Sequence, residues 1–498
     1  IPSKIMAYSV FLSLVFSQNG TIKGSISDRL GLPLPGANIQ LKETNLGTTS
    51  NVDGYFEFLN VPSGYYTVYV TYIGYEPVTY PDVWVRPNAY DNIEISLSQL
   101  VIEFDNVLVE DSYFRNSGLN QDQSVTFRND EIRRAPGAGQ ELSRILNSLP
   151  SVASVGENRQ DMMVRGGGPT ENGFVIDNIP IPSISHFAQE DGRSNGPIGL
   201  INTEMVETLE FYSNGFSAAY GNRLSSYGDI TYRNGDKNEF KGNASLGLGG
   251  AAALMEGPLN SESSYIFSYR RSYLDVIAGA LNAGGLPSYD DIQGKITYQP
   301  NPYNTLSFLV VSGSSLYERT KEDAIKEEQV NYGRRQNNQS TIGMNYKKIW
   351  NESSFSNTSI SYSDQRADAS FLNYKTSSVT SMANNTLQSY SARQINQTQI
   401  SNKLGTEYGF EASSKILQYD FLLNDLAASQ DVSIVNTAVF STFRYLFASK
   451  FLISTGVRVE RNDYEKKNLI SPRLNAKYNL KDGVSALIYN AGSYYQNP

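Results

Sequence analysis

The chain has 498 residues with a formal net charge of −9, no Cys and a single His, His186. These numbers exclude a disulfide framework and Cys-ligated zinc or iron–sulfur sites, and they argue against a His-rich metal centre or a His-paired nucleophile. The excess of acidic over basic residues argues against binding to nucleic acid, whose phosphates are negatively charged. Because 40% of the residues are hydrophobic and 12% aromatic, the chain can bury cores, and its length predicts about two to four folded units.

The first segment has the pattern of a secretory signal. Lys4 precedes an apolar run over residues 5–16, and the small residue Ser17 follows. A basic start, about a dozen apolar residues and a small residue at the end are the parts of such a signal. Residues 1–17 are therefore predicted to be removed, with a buried N-terminal helix or strand as the alternative. Since the chain begins with Ile1, we expect its true start to lie upstream.

Residues 18–100 predict a small β-sandwich, because short alternating segments are separated by Gly/Pro turns such as Asp53-Gly54. This segment resembles the carboxypeptidase regulatory-like (transthyretin-like) module. The resemblance rests on Gly24, 34–37, 47–48, 53–56, 61–62, 64–65 and 72–75. The name does not imply an enzyme, because a zinc carboxypeptidase needs His ligands and the one His lies outside this module.

Residues 119–238 carry the most specific motif. An apolar helical face over residues 139–150 precedes a glycine run, and the order of the later motifs resembles the plug domain of TonB-dependent outer-membrane receptors. The residues that carry this resemblance include Arg165, Gly166, Gly167, Gly168, Asp177 and Gly221. A phosphate-binding loop is the rival interpretation, but Pro169 follows the glycines and no Lys-Ser/Thr pair does. In a plug, the glycines allow a tight turn where a Cβ would clash.

The resemblance also implies that a plug arginine pairs with acidic residues on the inner face of the barrel. Arg165 is the arginine that this sequence offers, and Glu407 and Glu460 are the candidate carboxylates. A second plug arginine of the family is replaced here by Tyr212-Ser213, so a full four-residue lock is not expected. The alternative is that both glutamates simply face the polar lumen of the barrel and pair with no plug residue.

Residues 239–498 alternate like strands of an outer-membrane barrel. In residues 403–411, for example, apolar side chains fall on one face and Lys or Glu on the other. Tyr and Phe near strand ends are expected to form interfacial girdles. The polar inserts over 313–338 and 363–399 are predicted to be extracellular loops. A count of about 11 or 12 strands, against ~22 in plugged transporters, predicts that the chain holds only the first part of the barrel and is a fragment.

The predicted fold is therefore mainly β: a small β-sandwich, an α+β plug domain, and the first part of a transmembrane antiparallel β-barrel. The resemblance implies an outer-membrane location in a diderm bacterium, with the N-terminal domain and plug base facing the periplasm. It implies import of a scarce or bulky solute (an iron chelate, vitamin, oligosaccharide or peptide), energised by the TonB complex and surrounded by outer-membrane lipid. A surface lipoprotein partner is left open, and no cofactor, metal ligand, catalytic residue or nucleic acid is implied.

The linker over residues 101–118 offers a candidate TonB contact. TonB usually binds a short extended segment before the plug, and strand addition is the physical mode. The candidate residues are Asp105, Asn106, Val107, Leu108 and Val109. A last sandwich strand or an inert linker is the alternative for this segment. For the whole chain, the alternative function is a barrel-anchored surface receptor or adhesin without active transport.

Overall fold

The structure is a computed structural model, and the chain separates into two compact units, residues 1–108 and 109–498. The predicted signal over 1–17 and the candidate TonB segment over 105–109 lie outside the described residues. The structure describes residues 19–28, 32–42, 44, 46–72, 75, 78–86, 90–97, 124–135, 141–156, 159–188, 193–194, 196, 198–247, 250–272, 287–351, 353–423, 426–447, 450–480 and 486–496.

The first unit is a β-sandwich of two sheets, as the alternating pattern predicts. Its strands are β1 (Asn19–Asp28), β2 (Asn38–Leu41), β3 (Gly47–Thr49), β4 (Tyr55–Pro62), β5 (Gly64–Thr71), β6 (Val78–Val85) and β7 (Tyr90–Leu97). One sheet has the order β4-β1-β7 and the other β3-β2-β5-β6. The Asp53-Gly54 turn joins strands of different sheets, so it is a crossing between layers and not a hairpin. Gly54 has a φ of +81°, which only glycine adopts without strain.

The second unit contains the region predicted to be a plug domain, which we call the plug. It contains the strands β8 (Val125–Arg128), β9 (Val152–Ser154), β10 (Met162–Val164), β11 (Asn172–Ile176), β12 (Ile179–Ile181), β13 (Val206–Tyr212) and β14 (Ser226–Tyr232). Five of these form a sheet of order β12-β11-β14-β13-β8. The helices are α1 (Asn129–Arg134) and α2 (Leu142–Leu146). Helix α2 is shorter than the predicted 139–150, but it buries the predicted apolar side chains Leu142, Ile145 and Leu146.

The wall is one antiparallel sheet of thirteen strands, each paired with its neighbours in sequence. Its strands are β15 (Lys241–Gly247), β16 (Gly250–Asn260), β17 (Ser263–Arg271), β18 (Ser288–Asn301), β19 (Asn304–Arg319), β20 (Asn331–Asn351), β21 (Ser354–Asn373), β22 (Val379–Ser401), β23 (Leu404–Leu423), β24 (Leu426–Phe447), β25 (Phe451–Asn462), β26 (Lys467–Asn479) and β27 (Ala486–Gly492); helix α3 (Lys321–Lys326) lies between β19 and β20. No helix in the described residues is long and apolar enough to cross a membrane.

Two predictions about the wall were wrong. The wall has thirteen described strands where the pattern gave about 11 or 12. The predicted loop over 313–338 is mostly β19, α3 and β20, and the predicted loop over 363–399 is mostly β21 and β22. The longest strand has 23 residues, about twice the ~9–11 needed to cross a bilayer. Strand ends that extend into water are polar on both faces, so alternation gave no signal there.

Side chains of the wall point alternately toward the plug and away from it. On β23, Tyr408 and Phe410 are exposed on the outer face, whereas Glu407 is buried on the inner face. This confirms the two faces predicted for residues 403–411. The apolar core of the plug continues into the inner face of the wall through Leu254, Ile266, Leu309 and Val311.

Candidate functional site

The glycine run of the plug forms a tight turn that is bound by the plug itself. Arg165 and Gly166 have φ values of +48° and +84°. A Cβ on Gly167 would lie 1.6 Å from the Ser225 hydroxyl oxygen. The Gly168 amide donates to a Glu171 carboxylate oxygen at 3.2 Å. The Gly168 amide, which a phosphate loop would offer to its ligand, is thus already bound to a carboxylate of the plug. This arrangement favours the plug interpretation over a phosphate-binding loop.

The predicted plug residue Asp177 contacts the wall. Asp177 and Asn178 both have positive φ and form the turn between β11 and β12. The Asp177 carboxylate lies 3.0 Å from the Lys295 ammonium of β18, and Lys295 is buried. Lys295 also donates to the Tyr232 carbonyl at 2.6 Å. Because one ammonium meets two acceptors of the plug, this contact ties β18 to the β11–β12 turn and to β14.

The segment 215–221 of the plug is held by three arginines of the wall, which we call the arginine cradle. Arg473 donates to the carbonyls of Phe216, at 2.9 Å, and Ser217. Arg393 donates to the Ala219 carbonyl at 2.8 Å, and Arg458 contacts the Ala218 and Ala219 carbonyls at 3.4 and 3.5 Å. Guanidinium groups have several donors in a fixed plane, so each can bind adjacent carbonyls.

Gly221, a residue of the predicted plug motif, makes room for the cradle. A Cβ at this position would lie 2.2 Å from the Arg458 Nε atom. The same guanidinium pairs with two carboxylates, since its Nε lies 2.7 Å from Glu460 and its Nη2 lies 3.1 Å from Glu411. Arg458 therefore joins the plug carbonyls to the charged inner face of the wall, and Gly221 permits the close approach.

Glu407 contacts the plug, but through a partner that the sequence analysis did not name. Its Oε1 accepts from the Ser217 hydroxyl at 2.7 Å. Its Oε2 lies 3.3 Å from Arg444 of the wall. Glu460 pairs with Arg458. The structure does not bring Arg165 to either carboxylate: its side chain is exposed, at a left-handed turn. The expected pairing of Arg165 with Glu407 and Glu460 is thus replaced by arginines of the wall, which bind plug carbonyls.

His186 belongs to a buried polar network on the other side of the plug. Its Nε2 lies 2.9 Å from Asp291 of β18, and Arg270 of β17 lies 2.8 Å from the same carboxylate. Burial lowers the pKa of His186 below its usual value, although Asp291 opposes the shift. The imidazole is therefore neutral at physiological pH and donates from Nε2. His186 is a structural contact between plug and wall.

Two carboxyl groups of the plug have raised pKa values because they are buried. Burial raises the pKa of Glu141 to about 7, against the opposing effect of Arg270. Glu141 accepts from the Gly199 amide at 2.6 Å. Burial likewise raises the pKa of Asp229 to about 6, and Asp229 accepts from the Tyr220 hydroxyl at 2.5 Å. Near neutral pH, Glu141 is therefore partly protonated, whereas Asp229 gains its proton only at lower pH.

The arginines of the wall were not among the residues predicted from the sequence. Arg393, Arg444, Arg458 and Arg473 are all buried on its inner face. The available signal was their position in the alternating pattern, since Arg458 shares a face with Glu460. In the described residues, no group of three or more His, Cys, Asp or Glu side chains could hold a metal ion.

Comparisons with known proteins identify both predicted domains. Residues 21–98 match the family model of the carboxypeptidase regulatory-like domain, and residues 118–226 match that of the TonB-dependent receptor plug domain. The TonB-dependent receptor SusC of Bacteroides thetaiotaomicron is 29% identical over 228 residues, which are 44% of this chain and 21% of that protein.

Solved structures share the fold at low sequence identity. The ferric enterobactin receptor of Pseudomonas aeruginosa has a TM-score of 0.57 at 18% identity, over 77% of this chain and 63% of that one. The siderophore receptor PirA of Acinetobacter baumannii has a TM-score of 0.54 at 14% identity, over 75% and 61%. The copper transporter OprC has a TM-score of 0.56 at 13% identity, over 74% and 64%. The chain thus spans less than two thirds of the length of these relatives.

These matches agree with the order of sandwich, plug and antiparallel wall. The similar proteins are receptors and a transporter. Residues 118–226 are thus a TonB-dependent receptor plug domain that follows a carboxypeptidase regulatory-like domain, and the chain shares the fold of outer-membrane receptors of this kind.

Proposed function

We propose that the full-length receptor containing this chain imports a scarce or bulky solute across the outer membrane, with energy delivered by TonB. The observation that carries the proposal is the seam, by which we mean the hydrogen bonds and ion pairs that join the plug to the inner face of the wall. A plug so lodged blocks free diffusion. Import then requires the plug to move, and catalysis is no part of the proposed role.

The chemistry of the seam suits a plug that moves. The arginine cradle binds plug carbonyls, which water can also bind once the contact opens. Each such contact contributes only about 1–3 kcal/mol net when a charged group takes part. A mechanical pull that opens the polar contacts of segment 215–221 must also separate Ala218 and Ala219 from Phe440 of the wall, and Phe216 from Tyr494. An adhesin would need no blocked lumen, so the seam favours transport over the adhesin alternative.

The candidate pulling point is the segment Asp105–Val109 in the linker. It precedes the first described plug strand, β8, and its run of three apolar residues, two of them β-branched, suits strand addition to a partner sheet. A last sandwich strand or an inert linker stays the competing interpretation. The proposed domain limits are 18–100, 101–118, 119–238 and 239–498.

Deleting residues 105–109 from the full-length receptor tests this function. We expect energised accumulation of solute to be lost while solute still binds to the cell surface. The measurement compares cells in which this receptor is the only one of its kind, supplied with iron-labelled enterobactin or with labelled neutral oligosaccharides. A deletion of residues 111–115 is the control of equal length. Accumulation that is unchanged by the first deletion, or equal in cells without TonB, would favour the adhesin alternative.

A further inference from the structure

The outer face of the wall carries a belt of exposed apolar and aromatic side chains. On β20 the belt includes Ile342, Tyr346 and Trp350, all of which are exposed. Ile342 and Trp350 are eight positions apart, which is about 27 Å along a strand. The apolar band of an outer-membrane barrel is about 25 Å tall and is edged by aromatic side chains. The belt on β20 therefore has the height of the hydrocarbon layer of a bilayer.

Two tyrosines mark the extracellular edge of this belt. Tyr362 of β21 lies opposite Ile342, Tyr390 of β22 lies opposite Tyr362, and the two rings are 5.0 Å apart. Tyrosines are enriched where hydrocarbon meets the lipid head groups. At the other end of the wall the turns are short, as between Asn301 and Asn304, whereas helix α3 lies at this end. Because short turns are periplasmic and long connections extracellular, the tyrosines lie in the outer leaflet.

The next outward-facing row beyond the tyrosines is polar only in its middle. Its two ends are exposed apolar or aromatic side chains, namely Tyr269 and Ile292 at one end and Ile416 at the other. Between them the register places small or polar side chains: Ser312 of β19, Ser340 of β20, Asp364 of β21 and Gln388 of β22. The edge of the apolar belt is therefore interrupted across four strands.

A recess of about 130 Å³ lies at this interruption. Its polar side chains on the outer face are Asp290, Ser312, Ser314, Asn338, Ser340 and Asp364. Three of these are serines, which leave space where the neighbouring strands carry Ile or Tyr. The recess is therefore a polar hollow directly above the hydrocarbon layer.

The charged groups of the recess are balanced. The Asp364 carboxylate accepts from Arg366 Nε at 3.0 Å, and it lies 3.3 Å from the Tyr362 hydroxyl. Arg366 is 57% exposed, and among the described residues it makes no other hydrogen bond, so its two Nη groups are left for a further acceptor. On the other side of the recess, Asp290 lies opposite Arg271 of β17. Each carboxylate thus has an arginine as a neighbour, and the recess has no net charge.

We propose that this recess binds the phosphorylated sugar head group of a glycolipid in the outer leaflet of the outer membrane. Carboxylate, hydroxyl and amide groups together match the neighbouring hydroxyls of a sugar ring, which both donate and accept. Arg366 offers paired donors to phosphate oxygens. The proposal goes beyond the proposed function, since it requires the outer-membrane location but not import.

The balance of charge and the position of the recess decide between ligands. A bare cation or a simple anion gains little from a recess without net charge, because each charged group already has an opposite neighbour. A phospholipid carries a phosphate but no sugar ring to match the serines and Asn338. A free sugar phosphate lacks the acyl chains that the apolar belt below the recess would cover. A glycolipid supplies both parts.

Native mass spectrometry of the purified full-length receptor in detergent micelles tests the proposal. The probes are diphosphoryl lipid A, its dephosphorylated form, phosphatidylglycerol, and glucosamine 1-phosphate as a lipid-free sugar phosphate. We expect lipid A to bind about tenfold or more tightly than phosphatidylglycerol, because the sugar adds several hydrogen bonds. Glucosamine 1-phosphate should compete only weakly, since it buries no acyl chain.

Ser340→Leu is the first variant, because it fills the recess with an apolar side chain like that of Ile416 in the same row. We expect it to weaken lipid A binding about tenfold or more without lowering the melting temperature, since an outward-facing position is changed. Ser433→Leu is the matched control. Ser433 of β24 is exposed, lies opposite Ile416 in the same row, and is outside the recess, so its affinity should stay within about twofold.

Arg366→Gln is the second variant, and it tests the phosphate contact. We expect it to remove the preference for lipid A over the dephosphorylated form, while the affinity for the dephosphorylated form stays within about twofold. A purely structural role of Arg366 would lower both affinities together. Arg334→Gln is the control, because Arg334 is exposed on β20 and does not line the recess.

Three results would overturn the proposal: phosphatidylglycerol binds as tightly as lipid A, Ser340→Leu binds lipid A as Ser433→Leu does, or glucosamine 1-phosphate binds as tightly as lipid A. Failure of this site and failure of the proposed function are separable. Solute accumulation that needs residues 105–109, in a receptor with no preference for lipid A, would leave import standing and remove the site. Lipid A binding that is lost in Ser340→Leu, in a receptor without accumulation, would do the reverse.

Discussion

The sandwich and the plug are both small β units, but different chemistry holds each in place. The sandwich packs two sheets over a closed apolar core that includes Ile22, Ile26, Ile39 and Val70. The plug meets the wall through a seam that is rich in buried arginines, carboxylates and amides. An apolar core loses its stabilisation when it opens, whereas hydrogen bonds of a seam can be replaced by water. The contrast separates a permanent unit from one that can be released.

The same contrast divides the plug itself. Toward β16–β19 its core is continuous with apolar side chains of the wall. Toward β22–β26 the contacts combine the arginine cradle with a smaller apolar cluster of Ala218, Ala219 and Phe440. We therefore expect a pull to free the cradle side before the β16–β19 side.

The largest expected effect comes from Arg458→Ala. This change leaves Glu411 and Glu460 without their guanidinium partner and removes the contacts to two plug carbonyls. A broken buried ion pair costs about 3–5 kcal/mol, and the loss should appear as a lower urea midpoint for the plug. Arg461→Ala is the control, because Arg461 is exposed on the same strand. Equal urea midpoints for both variants would show that the arginine cradle does not stabilise the plug.

Glu141 predicts a pH dependence confined to the plug. Its pKa is raised from 4.5 to about 7 in the folded protein, so the folded state binds the proton more tightly than the unfolded state does. This contribution to stability is complete below pH ~4.5 and is lost as pH rises through ~7, by about 3 kcal/mol in total. Urea unfolding at pH 5 and pH 8 measures the difference. Glu141→Gln should reduce the slope to the part that Asp229 contributes, and an unchanged slope in that variant would contradict the assignment.

Gly221→Ala should have a smaller effect of the same kind. The added Cβ would overlap the Arg458 guanidinium, and we expect a loss of about 1–3 kcal/mol from displacement of a packed group. Gly247→Ala is the matched control, because a Cβ there has nothing within 4 Å. If Gly221→Ala and Gly247→Ala have the same urea midpoint, the close approach of Arg458 to Gly221 does not contribute to stability.

The smallest effect is expected in the sandwich. Ile26 is fully buried in its core, and Ile26→Val removes one methylene at a loss of about 1 kcal/mol. The plug transition should not change, since each unit has its own core. A shift of the plug midpoint by a similar amount, measured in the same urea titration, would show that the two units do not unfold separately.

The sequence predicts the elements better than it predicts their contacts. Alternation in residues 403–411 correctly separates Tyr408 from Glu407, because the two sides of that strand meet different surroundings. The same rule gives no signal along much of β21 and β22, where polar residues occupy both faces. Gly221 could be singled out by its motif, but its partner Arg458 could not. A backbone carbonyl leaves no mark in the sequence, so an arginine that binds one has no visible partner.

Native-state hydrogen exchange of the full-length receptor in increasing urea tests the central contrast most directly. The amides to compare are Ala219, which donates to the Ser217 hydroxyl in the cradle segment, and Ile26, which donates to Gly54 in the sandwich. We predict that Ala219 exchanges through an opening of lower free energy than Ile26, and that Arg458→Ala lowers the opening free energy of Ala219 further without affecting that of Ile26. Equal opening free energies for the two amides, or no response of Ala219 to Arg458→Ala, would contradict a releasable polar seam.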